Sequence, residues 1–185
     1  KEDYSHVLDV METYGLNCII FHVRTHNNAL YNSKLNPVAT WFSKVNFEEF
    51  DPLEWAIEET HRRGMEFHAW LNPYRISSTS TTAEAIKAKY VDCPKNPANN
   101  LENVLISKTG DGAILNPAIP RVRDYIVDVC LELMENYDID AIHFDDYFYP
   151  TTDEEFDRES YESYKKSAKS PLPLADWRRA NVDAL

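Results

Sequence analysis

Tyr4, Val7, Leu8, Met11 and Tyr14 recur at steps of three and four residues, the spacing of one helix face, and Gly15 follows where a left-handed C-cap is wanted. Asn17 to Thr25 then reads as a short buried strand, its Cys-Ile-Ile-Phe-His-Val-Arg run rich in β-branched and aromatic residues. Asp51-Pro52-Leu53-Glu54 opens a second helix, with an N-cap acid, a proline at the first helical position and a glutamate placed for a capping box. His61-Arg62-Arg63 and Gly64 close it, setting positive charge at the negative end of the helix dipole. A second strand spans Met65 to Leu71. A third helix runs from Pro120 to Tyr137 with Val122, Ile126, Val129, Cys130 and Leu133 facing inward, and Ile139 to Phe144 forms the third strand. A short helix near Thr82 to Val91, a hairpin around Gly110-Asp111-Gly112 and a last helix starting at Asp176 complete the expected elements.

Helices alternate with strands, and each helix reaches the next strand through only a few residues, the signature of parallel β/α units. The expected fold is α/β, a partial (β/α)8 TIM barrel. A complete barrel of this kind takes about 250 residues and three strands are too few to close one. The expectation is therefore a single incomplete barrel domain over residues 1–185, lacking the first strand and the later ones and associating through its open edges. The strand-to-helix stretches 26–50, 76–115 and 147–175 are long, and in a parallel barrel such loops gather on the face where catalysis is found.

Strand alternation sorts the side chains onto two faces. His22 and Arg24, His68, Trp70 and Asn72, and His143 and Asp145 share one parity; Phe21 and Val23, Phe67, Ala69 and Leu71, and Ile142 and Phe144 share the other. The second set is expected to pack on the helices, so that Phe144→Ala costs about 3–5 kcal/mol. The first set places polar groups inside the barrel, increasingly toward the strand C-termini.

Asp145 and Asp146 end the third strand, and adjacent carboxylates there point to opposite sides, so they do different work. Asp145, placed beside Arg24 or Arg75, has the character of a nucleophile, general base or cation-stabilising group; a purely structural Asp–Arg pair is the alternative for both acids. Asn72-Pro73-Tyr74-Arg75 follows the second strand, and an amide, a phenol and a guanidinium after a rigid proline turn suit sugar hydroxyls or a carboxylate. Tyr31, Trp41, Trp70, Tyr74, Tyr147 and Tyr149 sit at strand ends or in the loops after them, where flat rings either stack on pyranose faces or pack loops onto the barrel.

Charge removes two classes of partner. Thirty-one acidic residues against 19 basic ones give a net charge of −12, repelling phosphate backbones and anionic lipid, and no local basic patch overrides it. No nucleic acid is expected. No run approaches the roughly 18 apolar residues of a membrane span either. Much of the excess acid lies in Asp153-Glu154-Glu155-Phe156-Asp157-Arg158-Glu159, which reads as a solvated loop or helix face. Cys18, Cys93 and Cys130 are far apart, with no histidine at zinc-ligand spacing along the chain.

The segments Phe21-His22-Val23-Arg24, Ala29-Leu30-Tyr31, Phe50-Asp51-Pro52-Leu53, His61-Arg62-Arg63-Gly64, His68 to Arg75, Leu115-Asn116-Pro117, His143 to Pro150 and Trp177-Arg178-Arg179-Ala180-Asn181 together resemble the glycosyl-hydrolase-like family ten of bacterial barrels. Eight motifs in order cover nearly the whole chain. The resemblance implies a (β/α)8 barrel distantly similar to the alpha-amylase clan, acting on glycans such as peptidoglycan strands, and exported or lipid-anchored, hence extracytoplasmic. It implies a nucleophilic aspartate at the end of the strand that closes with Asp145. Asn28 stands where family members often carry an acid, and the partner acid is then expected in later strands, with Glu48 and Glu49 the nearby substitutes.

The reading is a glycosidase in which Asp145 and Asp146 supply carboxylate chemistry and Arg24, Asn28, Tyr31, His68, Trp70, Asn72, Tyr74, Arg75, His143 and Tyr147 contact the glycan. This chemistry requires no metal or organic cofactor. A non-catalytic glycan-binding barrel is the first alternative. A metal-dependent hydrolase built on His22, His68 and His143 is the second, although none of these belongs to a His-x-His or His-x-x-x-His pair.

Overall fold

A computed structural model describes residues 1–145 and 148–185. In chain order the elements are α1 (Glu2–Thr13), β1 (Cys18–Arg24), α2 (Pro52–His61), β2 (Glu66–Leu71), β3 (Arg75–Ser77), α3 (Ala83–Tyr90), β4 (Val104–Ile106), β5 (Ala113–Leu115), α4 (Pro120–Asn136), β6 (Ala141–Phe144), α5 (Arg158–Ser167) and α6 (Leu174–Asp183). Contacts divide the chain into two compact units, one of residues 1–72 and 130–145, the other of residues 73–129 and 146–185.

The first unit holds a parallel sheet in the order β1-β2-β6. The β/α repeat of a partial (β/α)8 barrel is thus as expected. Local signals place its helices: Asp51 accepts backbone N–H groups of Leu53 and Glu54 with Pro52 in the first turn, and Gly15 and Gly64 take φ of 68° and 71° beyond the ends of α1 and α2, conformations a side chain would strain. In β2 the alternation is clean. Phe67, Ala69 and Leu71 are fully buried, while His68 and Trp70 on the other face are half-buried. Each large apolar side chain so buried contributes about 1.5–3 kcal/mol. Tyr4 from α1 anchors the helix layer, its ring edge-on to Phe21 and Trp55 at 5.6 and 5.7 Å and its hydroxyl 2.7 Å from that of Thr60. Leu8, Met11 and Met65 continue this core.

One expectation about parity fails, and one about burial. The register of β1 against β2 slips between His22 and Arg24, so that His22 lies opposite Trp70 but Arg24 opposite Leu71 rather than Asn72. A bulge turns the end of the strand over, and Arg24 leaves the face it was assigned. Phe144 is 38% exposed, because β6 is an edge of the described sheet and its last residue lacks a cover. Its truncation therefore costs well below the roughly 3–5 kcal/mol of a fully buried phenylalanine.

The second unit is built on an antiparallel sheet in the order β3-β5-β4. The hairpin around Gly110-Asp111-Gly112 was expected; β3, directly after Pro73-Tyr74, was not. Thr82 caps α3 by accepting the Ala85 N–H. Tyr161 and Tyr164 on α5 pack their rings against Trp177 on α6 at 5.2 and 5.6 Å. The acidic stretch before α5 is not wholly solvated. Asp157 is 2% exposed, and Arg178 from α6 donates to both its carboxylate oxygens, Nε at 2.9 Å and Nη2 at 2.6 Å. A partner 21 residues away turns one acid of that run into an interior group.

Candidate active site at the strand ends

In the first unit the register sets one row of rings across the sheet, because His22 pairs with Trp70 and Trp70 with His143. The His22 imidazole stacks on the Trp70 indole with centroids 3.9 Å apart and planes 7° from parallel, and His143 meets the indole edge-on at 6.1 Å. The two histidines thus lie on either side of Trp70, which dissolves the idea that neighbouring imidazoles converge on a catalytic metal. Trp70 also donates from Nε1 to the main-chain oxygen of Asp145 at 3.0 Å, tying the end of β6 to β2. Asp145 follows β6 directly and is exposed; it enters no ion pair among the described residues, so the expected pairing with Arg24 is not formed.

Arg24 is used differently from the expectation. Its guanidinium is fully buried and donates to Asn36 Oδ1 at 3.1 Å, to the Asn72 main-chain oxygen at 2.5 Å and to Asn27 Oδ1. These bonds tie the loop after β1 to the end of β2. Asn72 returns the connection: its N–H donates to the Arg24 carbonyl at 2.9 Å and its Nδ2 to the Thr25 carbonyl at 3.0 Å. The Oδ1 of Asn72 is buried and finds no hydrogen-bond partner among the described residues. A buried acceptor left so is a preformed receptor for a hydroxyl or N–H donor.

Asn28 and Tyr31 hold the loop rather than present themselves. Asn28 Oδ1 accepts from the Thr25 hydroxyl at 3.0 Å and from the His26 N–H at 2.9 Å, while Tyr31, fully buried, donates to Glu132 at 3.3 Å and lies edge-on to Tyr137. His68 sits two residues before Trp70 with its Nε2 3.1 Å from Glu66 Oε2, toward the opposite end of the strand from Asn72. Asn27 and Asn36, the oxygen partners of Arg24, were not singled out by pattern. Asn27 adopts a φ of 48°, and an Asn-Asn pair leaving a strand is a recognisable signal for that left-handed turn. Nothing in the local sequence marks Asn36.

The second unit contains Tyr74 and Arg75. Tyr74 is 1% exposed, with its ring perpendicular to Phe148 at 6.2 Å, and its hydroxyl is buried with no hydrogen-bond partner among the described residues. Burial pushes this phenol well above its ordinary range, a little offset by the Arg123 charge. Arg75, half-buried, lines a hollow of about 230 Å³ with Ser77, Ser78, Asp111, Ile114 and Pro150. Hydroxyls, a carboxylate and a guanidinium in one small recess suit polyhydroxylated groups. Asp146 and Tyr147 lie outside the described residues.

Comparison with known proteins agrees with this architecture. Over residues 1–185 the chain matches the family described as Glycosyl hydrolase-like 10. It is similar to Glycosyl hydrolase YngK of Bacillus subtilis (strain 168), 37% identical over 190 residues that cover 100% of this chain and 36% of that protein. It is also similar to Glycosyl hydrolase DigH of Escherichia coli (strain K12), 34% identical over 183 residues covering 96% of this chain and 41% of that one. The chain therefore spans well under half the length of these relatives. Among solved structures, a hypothetical protein from Ruminiclostridium thermocellum superposes with a TM-score of 0.52 at 14% identity, covering 94% of this chain and 87% of the other, a likeness of fold alone. With the match running from end to end, the chain belongs to the glycosyl hydrolase-like 10 family.

Proposed function

We propose that the strand ends of the first unit form part of a glycosidase active site in which Asp145 supplies one of two carboxylates. The observation that carries the reading is the position of Asp145, directly after a parallel strand, with its main chain held by Trp70 and that indole held by the two histidine rings. Such a site on rigid strands keeps a reacting group within the tolerance catalysis requires. In the reaction one carboxylic acid protonates the leaving glycosidic oxygen. The other carboxylate either attacks the anomeric carbon or takes a proton from the attacking water, with separations of about 5–5.5 Å and about 6.5–9.5 Å respectively.

In the first unit Asn72 is the group that would orient a substrate hydroxyl; in the second, taken by itself, the recess of Arg75, Ser77 and Ser78 suits polyhydroxylated groups. Arg24, Asn28 and Tyr31 position the loop that follows β1. The substrate we propose is a bacterial glycan of the peptidoglycan-strand type, met outside the cytoplasm. Family membership supports the reaction class, and the names of its relatives go no further than glycosyl hydrolase.

The test is to treat peptide-free peptidoglycan strands with the full-length protein and with its Asp145→Asn variant, and to analyse the products by mass spectrometry. Cleavage by the wild type alone is expected. Cleavage by both would move the catalytic carboxylate elsewhere, and binding without cleavage by either would favour a glycan-binding barrel.

A further inference from the structure

At the other end of the sheet from Asp145, a thiol, a carboxylate and an imidazole come together that the spacing along the chain conceals. Cys18 at the start of β1 is the register partner of Glu66 at the start of β2, and His68 follows Glu66 on the same face. One ligand atom from each of the three lies within 4.8 Å of the other two. All three side chains reach solvent, Cys18 and His68 being half-buried and Glu66 exposed. We propose that Cys18, Glu66 and His68 form a binding site for a divalent cation of zinc type, linking β1 to β2 at their N-terminal ends.

Sulfur, nitrogen and oxygen donors in one set match zinc, which takes all three and prefers a tetrahedral arrangement, leaving a fourth position for water. Ligand atoms around tetrahedral zinc stand about 3.5 Å apart. Closing from the present spacing needs about 1 Å of side-chain rotation, which solvent-facing residues make freely. The surroundings favour a cation as well. Asp140 lies close enough to act electrostatically on both Cys18 and His68 and sets a negative charge beside the cluster. Asp140 is itself fixed, accepting the Phe67 N–H at 2.7 Å and bonded to His61 Nε2 at 2.8 Å, and adds a carboxylate beside the three ligands. Binding forms a metal–sulfur bond and releases the thiol proton to solvent, while neutral His68 donates a ring-nitrogen lone pair. Placed at the strand N-termini, the ion would brace the sheet and take no part in glycan chemistry. This site shares His68 alone with the histidine metal centre considered from sequence and does not depend on the glycosidase reading.

The experiment is to strip full-length protein with a chelator, then titrate it with zinc and, separately, with cobalt(II), whose thiolate complexes show a charge-transfer absorption in the near ultraviolet. One equivalent of metal with that absorption is expected. Cys18→Ser should abolish the absorption, and both it and His68→Gln should weaken zinc binding at least about tenfold. Cys93→Ser should change neither, and circular dichroism of each variant checks that it has folded. Absence of the absorption in folded wild type, or its survival in Cys18→Ser, would overturn the proposal.

Discussion

Arg24 in the first unit and Arg178 in the second are both withdrawn from water, at 0% and 8% exposure, and each ties distant stretches of its own unit together. Arg178 faces one carboxylate, Asp157, in a two-pronged contact, and adds the main-chain oxygens of Thr151 and Asp153 and the face of Tyr149 at 5.2 Å. The described bonds of Arg24 reach amide and carbonyl oxygens of Asn27, Asn36 and Asn72, drawn from a loop and a strand end. In the second unit, then, one buried ion pair holds the stretch before α5 to α6. In the first, one guanidinium spreads its donors over several backbone segments, and what it secures is their geometry.

If that distinction holds, the largest effect comes from Arg178→Met, which strands the buried Asp157 carboxylate and should cost about 3–5 kcal/mol in urea denaturation of the full-length protein. Adding Asp157→Leu should recover most of the loss, since a buried pair replaced by apolar groups is often near neutral. No recovery would mean that Asp157 serves more than its arginine. Arg24→Met leaves the Asn27, Asn36 and Asn72 oxygens without their donor and should cost about 2 kcal/mol; on the proposed glycosidase reading it should also lower kcat by loosening Asn72. An Arg24 variant with full kcat would separate the loop from the active site. Asn36→Ala removes one of the described acceptors of Arg24 and should cost about 1 kcal/mol.

The smallest effect is invisible at neutral pH. Tyr149, beside Arg178, is pushed up to about 12 by burial, from an ordinary 10.0. Its folded value lies above the unfolded one, so its contribution is fully present below pH 10 and is lost as pH rises through about 12. Tyrosinate absorbance should show late ionisation in the wild type and lose one tyrosine's share of it in Tyr149→Phe, which should also reduce the fall in stability over the same window.

What could be read from sequence and what could not divides along locality. The cap of α2 was legible because Asp51 and Pro52 act on residues no more than three positions away. β2 was legible because Phe67, Ala69 and Leu71 alternate with polar residues under one buried face. The bulge in β1 was not, since a register is a property of two strands and His22-Val23-Arg24 alternates normally on its own. Asp157 looked solvated because its partner lies on α6, and β3 was missed because three residues carry no period. Of the proposed site, Trp70, Asn72 and Asp145 stood out by type and place, whereas the use of Arg24 depended on asparagines that resemble any polar loop.

The bulge between His22 and Arg24 acts as a phase shift in the strand's inside-outside rhythm. Upstream of it, a substitution on the ring-bearing face is felt by Trp70; one residue further along, the same alternation points toward the opposite layer. A single-residue deletion at Val23 would therefore do more than shorten the strand. It would erase the bulge: Arg24, then directly after His22, would fall opposite Leu71 by plain alternation, and the strand would regain a single rhythm from Cys18 onward.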